Sequence, residues 1–362
     1  MCMSCSTRCI SRKLIKSIVS KYSIMTKEQT TILKGVAILM MLFLHLFNNP
    51  ELGKICEPLV YIGNLPLVNI LSRACNPVGI FLMLSGYGLS YTYSHSSITL
   101  KGQGKRLLKL YIHYWIILFI FVGIGSFVRP ERYPGSLTDI FLNVTSLSNS
   151  YNSETWFLFP YMLLSITSLW IFKCIDKLGN VKSLILSWIL YLASCYVISR
   201  YVAVSQSFTA WYIYFLTYFD VLFCFVIGAV FYRLVTKGKG TILFLKRHKI
   251  LPYILLLVLV ALNCVISSAA TSYFFESSYI FLLLHIEFRG VVKCFLMKMG
   301  KQSMVMWLTH SFFCYHIFHD FIYGFKYPLL IYVVLLVISY VVSLPISFIA
   351  KCVIKCVFKE GK

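Results

Sequence analysis

The chain has 362 residues, 59% of them hydrophobic and 13% charged, with 34 Lys and Arg against 12 Asp and Glu. Soluble domains carry roughly a quarter charged residues, so a chain this apolar needs the bilayer as its solvent. A formal charge of +22 suits a nucleic-acid binder only where it gathers on one face.

Residues 1–27 form a basic, Ser/Cys-rich segment without the apolar core of a signal peptide, and Met25 stands as an alternative start. Ten stretches then approach the ~20 apolar residues of a spanning helix: 32–48, 77–93, 110–128, 156–172, 183–199, 211–232, 251–267, 272–288, 303–319 and 328–350. The eighth is weak, with Glu276 near one end and His285 and Glu287 near the other, and the ninth carries three histidines. A basic tail, 351–362, closes the chain. The longest loops between spans are 49–76 and 129–155; no repeat, linker or soluble domain is visible.

Sorting the basic residues by alternate loops gives the orientation. The N-terminal segment with Lys34, loops 94–109, 173–182, 233–250 and 289–302, and the tail together hold 28. The opposite loops hold six: Lys54, Arg73, Arg129, Arg132, Arg200 and Lys326. Such a split puts both termini in the cytoplasm, and it requires the weak eighth span, because losing one helix would swap every later loop. The expected fold is an all-α polytopic membrane protein of about ten transmembrane helices. Charge spread over six loops removes the motive for nucleic-acid binding. Most of the 13 cysteines lie in apolar runs or basic loops, where thiols act as small hydrophobes. Cys56 and Cys75 are on the outer side, where a bridge between them stays open; Cys2, Cys5 and Cys9 lack a partner set with zinc-ligand spacing, so no metal is expected.

The first span reads KGVAILMMLFLH from Lys34 to His45. Eleven residues return to within about 20° of the start, so the two side chains share one helix face, ~16 Å apart along the axis. Intramembrane ionisable groups are costly and by default suggest function, against the plainer reading in which Lys34 snorkels and His45 bonds a neighbouring helix. Four further segments accompany them: SRACNPVGIFLMLSGYGLSYTY with Arg73 at its head, KRLLKLYIHYW with Lys105, Arg106 and Lys109, ETWFL from Glu154, and GKQSMVMWLTHSFF with His310.

In order and position these segments resemble acyltransferase family 3, the integral membrane O-acetyltransferases of bacterial surface glycans. That family has a basic residue and then His eleven positions on in its first helix, an Arg before an FFxxSGF-like second helix, an RRxxRxxPxYW-like third, a WFL-type segment and a late GKxSxxxYLxH helix. The resemblance covers residues 28 to about 345, and residues 28–350 are read as the acyltransferase domain. Lys34 stands where many members have Arg, and Ile112-His113 where a proline is common. The soluble esterase-like domain that some relatives append is not expected here.

The resemblance implies transfer of an acyl group, usually acetyl, from cytoplasmic acetyl-CoA to a hydroxyl of a cell-surface or lipid-linked glycan, in a multi-pass protein of the bacterial plasma (inner) membrane. His45 is then the general base, or a transient acyl carrier. Lys34 and Arg106 suit the CoA phosphates. Arg73 would orient the acceptor or a developing oxyanion, or else anchor the second helix at the interface. Trp156 is a sugar platform or an aromatic-belt residue; His310 contacts substrate or is structural. Asp220 has no role carried over, and His316, His319 and Asp320 read as solvated. The rival reading is a transporter or flippase for a lipid-linked sugar, although inverted repeats are not apparent.

Overall fold

The computed structural model describes residues 25–49, 51–202, 212–236, 248–266 and 268–358. Residues 1–24 with Cys2, Cys5 and Cys9, most of the basic loop 233–250, and the last four residues of the tail lie outside that description. Helix α1 (Lys27–Phe47) leads through α2 (Leu52–Ile55) and a small hairpin, β1 (Tyr61–Ile62) antiparallel to β2 (Leu65–Pro66), to α3 (Leu67–Ser72) and α4 (Pro77–His95). Next come α5 (Leu100–Val128), α6 (Leu137–Val144), α7 (Leu158–Leu178) and α8 (Asn180–Val197). The chain ends with α9 (Tyr212–Thr236), α10 (Leu251–Ile266), α11 (Ala269–Leu283), α12 (Gly290–Ser311), α13 (His319–Tyr323) and α14 (Pro328–Phe358). The protein is an all-α polytopic membrane protein.

Among the described residues seven helical spans are long and apolar enough to cross a bilayer, matching the first six expected stretches and the tenth. The other three expected stretches are helices too, each differing from a plain apolar span. Helix α10 has 16 residues, about 24 Å of rise against a hydrocarbon core of ~30 Å. Helix α11 spans 15 residues and stops at Leu283, so His285 and Glu287 lie past its end. Helix α12 begins at Gly290, three turns ahead of the expected stretch, and a π turn carries it on through His316. Its extra turns hold Lys293, Lys298 and Lys301, which an apolar window rejects. They are helical because Leu296, Met299 and Gly300 form a buried stripe while Lys298 and Lys301 stay exposed, the pattern of an amphipathic helix. Helix α5 likewise extends back to Leu100, where Thr99 caps it by accepting from the Gly102 N–H. Lys101, Lys105, Arg106 and Lys109 therefore sit on its first three turns instead of in a loop.

Two close helix pairs organise the interior. With no Cβ, Gly35 on α1 lies against the backbone of Leu296, and Gly300 on α12 against that of Thr31; a methyl group at these positions would come within 2.2 Å and 1.8 Å of a carbonyl oxygen. Gly86 on α4 and Gly228 on α9 make the corresponding contact with Phe225 and Met83. Small residues that let backbones touch are the usual adhesive between helices in lipid, where hydrophobic drive is absent. Around the first pair, α1, α5, α12 and α14 build one core from Ile38, Met41, Leu42, Tyr114, Met306 and Leu335. Around the second, α4, α7, α8, α9 and α11 build another from Leu82, Phe172, Tyr191, Phe225 and Ile280. Glu276 is buried there beside Gly79 of α4. The junction of α1, α12 and the turn before α7 belongs to the first core, with Leu42, Leu46, Phe157, Trp307 and Leu308.

Candidate active site

The segment leading into α7 is shaped by Asn152, which is buried. Its amide donates to the Leu308 carbonyl of α12 at 2.9 Å, and its Oδ1 accepts from Ser311 Oγ at 2.6 Å and from the Glu154 N–H at 3.1 Å. A single 3-10 turn, Ser153–Thr155, follows. The Trp307 indole N–H closes the arrangement by donating to the Glu154 carbonyl at 3.0 Å. The turn is thus fixed to α12 by three hydrogen bonds and braced by a fourth within itself, and the Glu154 side chain is turned toward α1.

There Glu154 Oε2 lies 3.1 Å from Nε2 of His45, the two side chains being 14% and 15% exposed for His45 and Glu154 respectively. A carboxylate only accepts, so it holds the N–H of the imidazole at Nε2 and leaves the lone pair at Nδ1. Nδ1 faces the Tyr315 hydroxyl at 3.2 Å. That hydroxyl donates its one proton to the carbonyl oxygen of His45 at 2.5 Å, so Nδ1 receives little of it. His45 consequently carries a basic nitrogen on the side of Tyr315, itself 38% exposed, and a carboxylate behind the opposite nitrogen. That is the arrangement of a base held by an orienting group.

His310 packs on this pair. Its ring centroid is 4.9 Å from that of His45, a neighbourhood set by the Gly35 and Gly300 contacts that bring α1 and α12 together. Nδ1 donates to the Trp307 carbonyl at 2.7 Å, which leaves Nε2 as the acceptor. Nε2 is buried and has no partner among the described residues. An orphaned buried acceptor costs roughly 1–3 kcal/mol, so a donor from a ligand would be welcome there.

A cavity of about 650 Å³ opens beside the pair, lined by Lys34 of α1, Ser85 of α4, Arg106 of α5 and Tyr161 of α7. Arg106 donates to Ser85 Oγ at 3.0 Å and to the Tyr161 hydroxyl. Lys109 of α5 lines the cavity too, and among the described residues neither Lys34 nor Arg106 is paired with a carboxylate, so at least these two cations face it without a carboxylate partner. Such a lining is chemically suited to an anionic ligand.

Of the sequence-predicted residues, the structure brings His45 and His310 into contact and puts Lys34 and Arg106 on one cavity. Arg73 is exposed at the end of α3, and it lies near Cys264 of α10, with no contact to His45 or Glu154 among the described residues. Trp156 is 38% exposed and meets Phe157 edge-on at 5.6 Å. Cys56 and Cys75 are both free thiols. Asp220 accepts from the Tyr273 hydroxyl at 3.1 Å, away from this site. His316 approaches Ser153 at 3.4 Å, whereas His319 pairs with the exposed Asp320 at 2.9 Å.

Sequence reasoning quoted Glu154 within its motif and gave it no role, and it missed Tyr315 altogether. The available signal for Glu154 was a carboxylate at the head of an apolar span, where an unpaired charge is expensive. Tyr315 gave none, since 25 tyrosines are spread through the chain.

Fold and site together define an integral membrane protein with a histidine–carboxylate pair set beside a cationic cavity. The family model described as an acyltransferase domain matches residues 30–351, and the chain belongs to that family, acyltransferase family 3. It is a membrane acyltransferase. No curated protein and no solved structure matches the chain.

Proposed function

We propose that this membrane acyltransferase moves an acetyl group from cytoplasmic acetyl-CoA to a hydroxyl of a cell-surface or lipid-linked glycan, in the plasma membrane of a bacterium. The observation that carries the reading is the pairing of a His45–Glu154 unit with a separate cavity where Lys34 and Arg106 lack a carboxylate partner among the described residues. In this reading Lys34 and Arg106 hold the phosphates of the donor, and the pantetheine arm extends from them along α1. Lys34 and His45 are ~16 Å apart along the helix, a gap for an extended arm.

The acceptor hydroxyl arrives from the side of Tyr315 and takes that hydroxyl's place at Nδ1. Nδ1 removes its proton as the oxygen bonds to the thioester carbonyl carbon. The carbon–sulfur bond breaks, and the CoA thiolate leaves and takes the proton back from His45. Glu154 stabilises the imidazolium formed between these steps. Nε2 of His310 accepts from a second hydroxyl of the sugar, which polyol acceptors provide. Arg73 and Trp156, exposed and apart from the pair, fit better as contacts for a long acceptor than as groups acting on the reacting atoms.

The test uses membranes holding the protein, given acetyl-CoA labelled in the acetyl group. The expected result is label in the glycan, released by mild base as acetate. Unlabelled glycan, accompanied by movement of a lipid-linked sugar across the bilayer, would overturn the reading in favour of transport.

A further inference from the structure

Residues 129–155 read as a loop in the sequence, yet they contain helix α6, which lies beside a spanning helix and not beyond it. The Tyr114 hydroxyl donates to the Asn143 carbonyl at 2.8 Å, and the Trp115 indole N–H to the Val144 carbonyl at 2.9 Å. Tyr114 comes 14 residues before the end of α5 at Val128, about 21 Å of helix. From Leu110 to Val128 α5 carries no Lys, Arg, Asp or Glu, as a stretch inside the bilayer requires. The C-terminal end of α6 therefore lies at membrane depth.

The face that α6 turns away from the protein is apolar. Leu137, Phe141 and Val144 follow at helical spacings of four and three, so they share one face. All three are exposed, Leu137 and Phe141 at 84% and 62%, while Asn143 on the other side is buried. Trp115 and Phe119, four apart on α5, are exposed as well. The stripe on α6 thus continues the exposed apolar surface of a spanning helix where the two helices touch. Asp139, the one acidic or basic residue in the helix, sits in its first turn, in a capping box with Ser136.

The backbone makes an independent case. The last four carbonyls of a helix have no partner within it, and at a surface water takes them. In α6 protein groups take all four. Phe141 accepts from the Thr145 N–H at 3.1 Å and Leu142 from the Ser148 N–H at 3.0 Å, and Asn143 and Val144 accept from Tyr114 and Trp115. A helix end in hydrocarbon needs every polar group satisfied internally; one in water does not.

We propose that α6 is a re-entrant amphipathic helix, sunk C-terminal end first into the leaflet on its side of the bilayer. Phe141 and Val144 pack against lipid acyl chains, and Leu137 and Asp139 lie nearer the headgroups, the division expected of an interfacial helix. The segment enters and leaves on one side, so the number of crossings is unchanged. Its buried side grips the turn that carries Glu154: Asn143 donates to Ser150 Oγ at 2.8 Å and accepts from the Tyr151 N–H at 3.0 Å, and Asn152 follows. Lipid contact on one face of α6 thereby supports the candidate site on the other. The inference stands on the membrane fold and is independent of the reading of function.

The experiment photolabels the full-length protein in proteoliposomes, using a phosphatidylcholine with a diazirine on one acyl chain, and maps the adducts by mass spectrometry. A parallel sample is oxidised by hydroxyl radicals made in the bulk water. The expected result is lipid adduct on Phe141 at a level like that on Phe119, with little oxidation of either. Phe141→Asp should lose most of the adduct within 137–144, since a charge in lipid is costly, and keep that on Phe119, the sign of an inserted protein. Phe141→Leu should keep both. Phe141 oxidised and free of lipid adduct would put α6 in water and overturn the proposal. Phe141 with neither mark would mean that protein covers it, a second copy of the chain included, and would overturn it equally. So would an adduct within 137–144 that Phe141→Asp leaves unchanged, because the apolar stripe would then not be what holds the helix in lipid.

Discussion

At His45 the chemistry depends on which nitrogen carries the hydrogen, and Glu154 decides that from 3.1 Å away. His45→Gln keeps a hydrogen-bonding amide that takes no proton at neutral pH. Acyl transfer should fall by about 10²–10⁴, the usual worth of a general base, while the protein still inserts and still binds acyl-CoA. An inserted His45→Gln variant acylating at the wild-type rate would make His45 a packing residue and leave His310 as the next base. Glu154→Gln is a finer test. Its amide either accepts from the Nε2–H without the charge that stabilises the imidazolium, or presents N–H to Nε2 and moves the ring hydrogen onto Nδ1. A loss within the same range is expected, with binding of acyl-CoA unchanged; equal activity would mean that the carboxylate does not orient the ring. Lys34 acts at the other end of the helix. Lys34→Ala should raise KM for acyl-CoA with a smaller change in kcat, and Lys34→Arg should retain most activity because the charge is kept. An unaltered dissociation constant in Lys34→Ala would leave Lys34 only a snorkelling role.

Helix α1 carries both Lys34 and His45, the residues proposed for donor binding and for the base, and its contact with α12 decides whether His45 meets His310. Gly35→Ala would put a methyl group 2.2 Å from the Leu296 carbonyl oxygen, and a backbone atom cannot swing aside as a side chain does. Overpacking of this kind costs about 1–3 kcal/mol, so thermal unfolding in detergent should shift downward and activity fall with the separation of His45 from His310. Gly104→Ala on α5, with nothing within 4 Å of the added carbon, should not lower the midpoint. Equal midpoints for the two variants would deny the close crossing. The long apolar helices were legible in the sequence because the bilayer demands continuous runs of apolar residues, and Lys34 and His45 were legible because ionisable residues stand out inside such runs. The early turns of α5 and α12 were not, since their lysines break the apolar window while their buried stripes preserve the helix. Nor was the Glu154 contact, which depends on Asn152 reaching Leu308 and Ser311 across 156 and 159 residues of chain. No local pattern encodes a pairing at that separation.

For the whole molecule, the division of 28 basic residues from six ties the fold to the direction of the chemistry. If the basic side is cytoplasmic, the Lys34–Arg106 cavity opens toward the compartment that holds acyl-CoA, and Tyr315 lies toward the side where the glycan is displayed. A reporter fused after Lys362 should then be active only in the cytoplasm, and one inserted within 136–150 only outside. A C-terminal reporter active outside would require an odd number of crossings and reverse one half of this scheme. Cys352 and Cys356, exposed near the end of α14, provide a check without fusions: a membrane-impermeant thiol reagent should label them in inside-out vesicles and spare them in intact cells. The functional counterpart follows from the same geometry, because CoA is too charged to cross lipid unaided. Inside-out vesicles supplied with external acetyl-CoA should acylate glycan, whereas sealed right-side-out vesicles should do so only when the donor is loaded within. Reporter fusions and thiol labelling that agree with the charge map, together with acylation from donor outside right-side-out vesicles, would mean that the orientation is correct but the cavity is not the donor's. Thiol labelling and acylation both reversed would mean that the molecule sits the other way round. Only the combination of cytoplasmic thiols with donor use from the cytoplasmic side keeps Lys34 and His45 on the two ends of one reaction path.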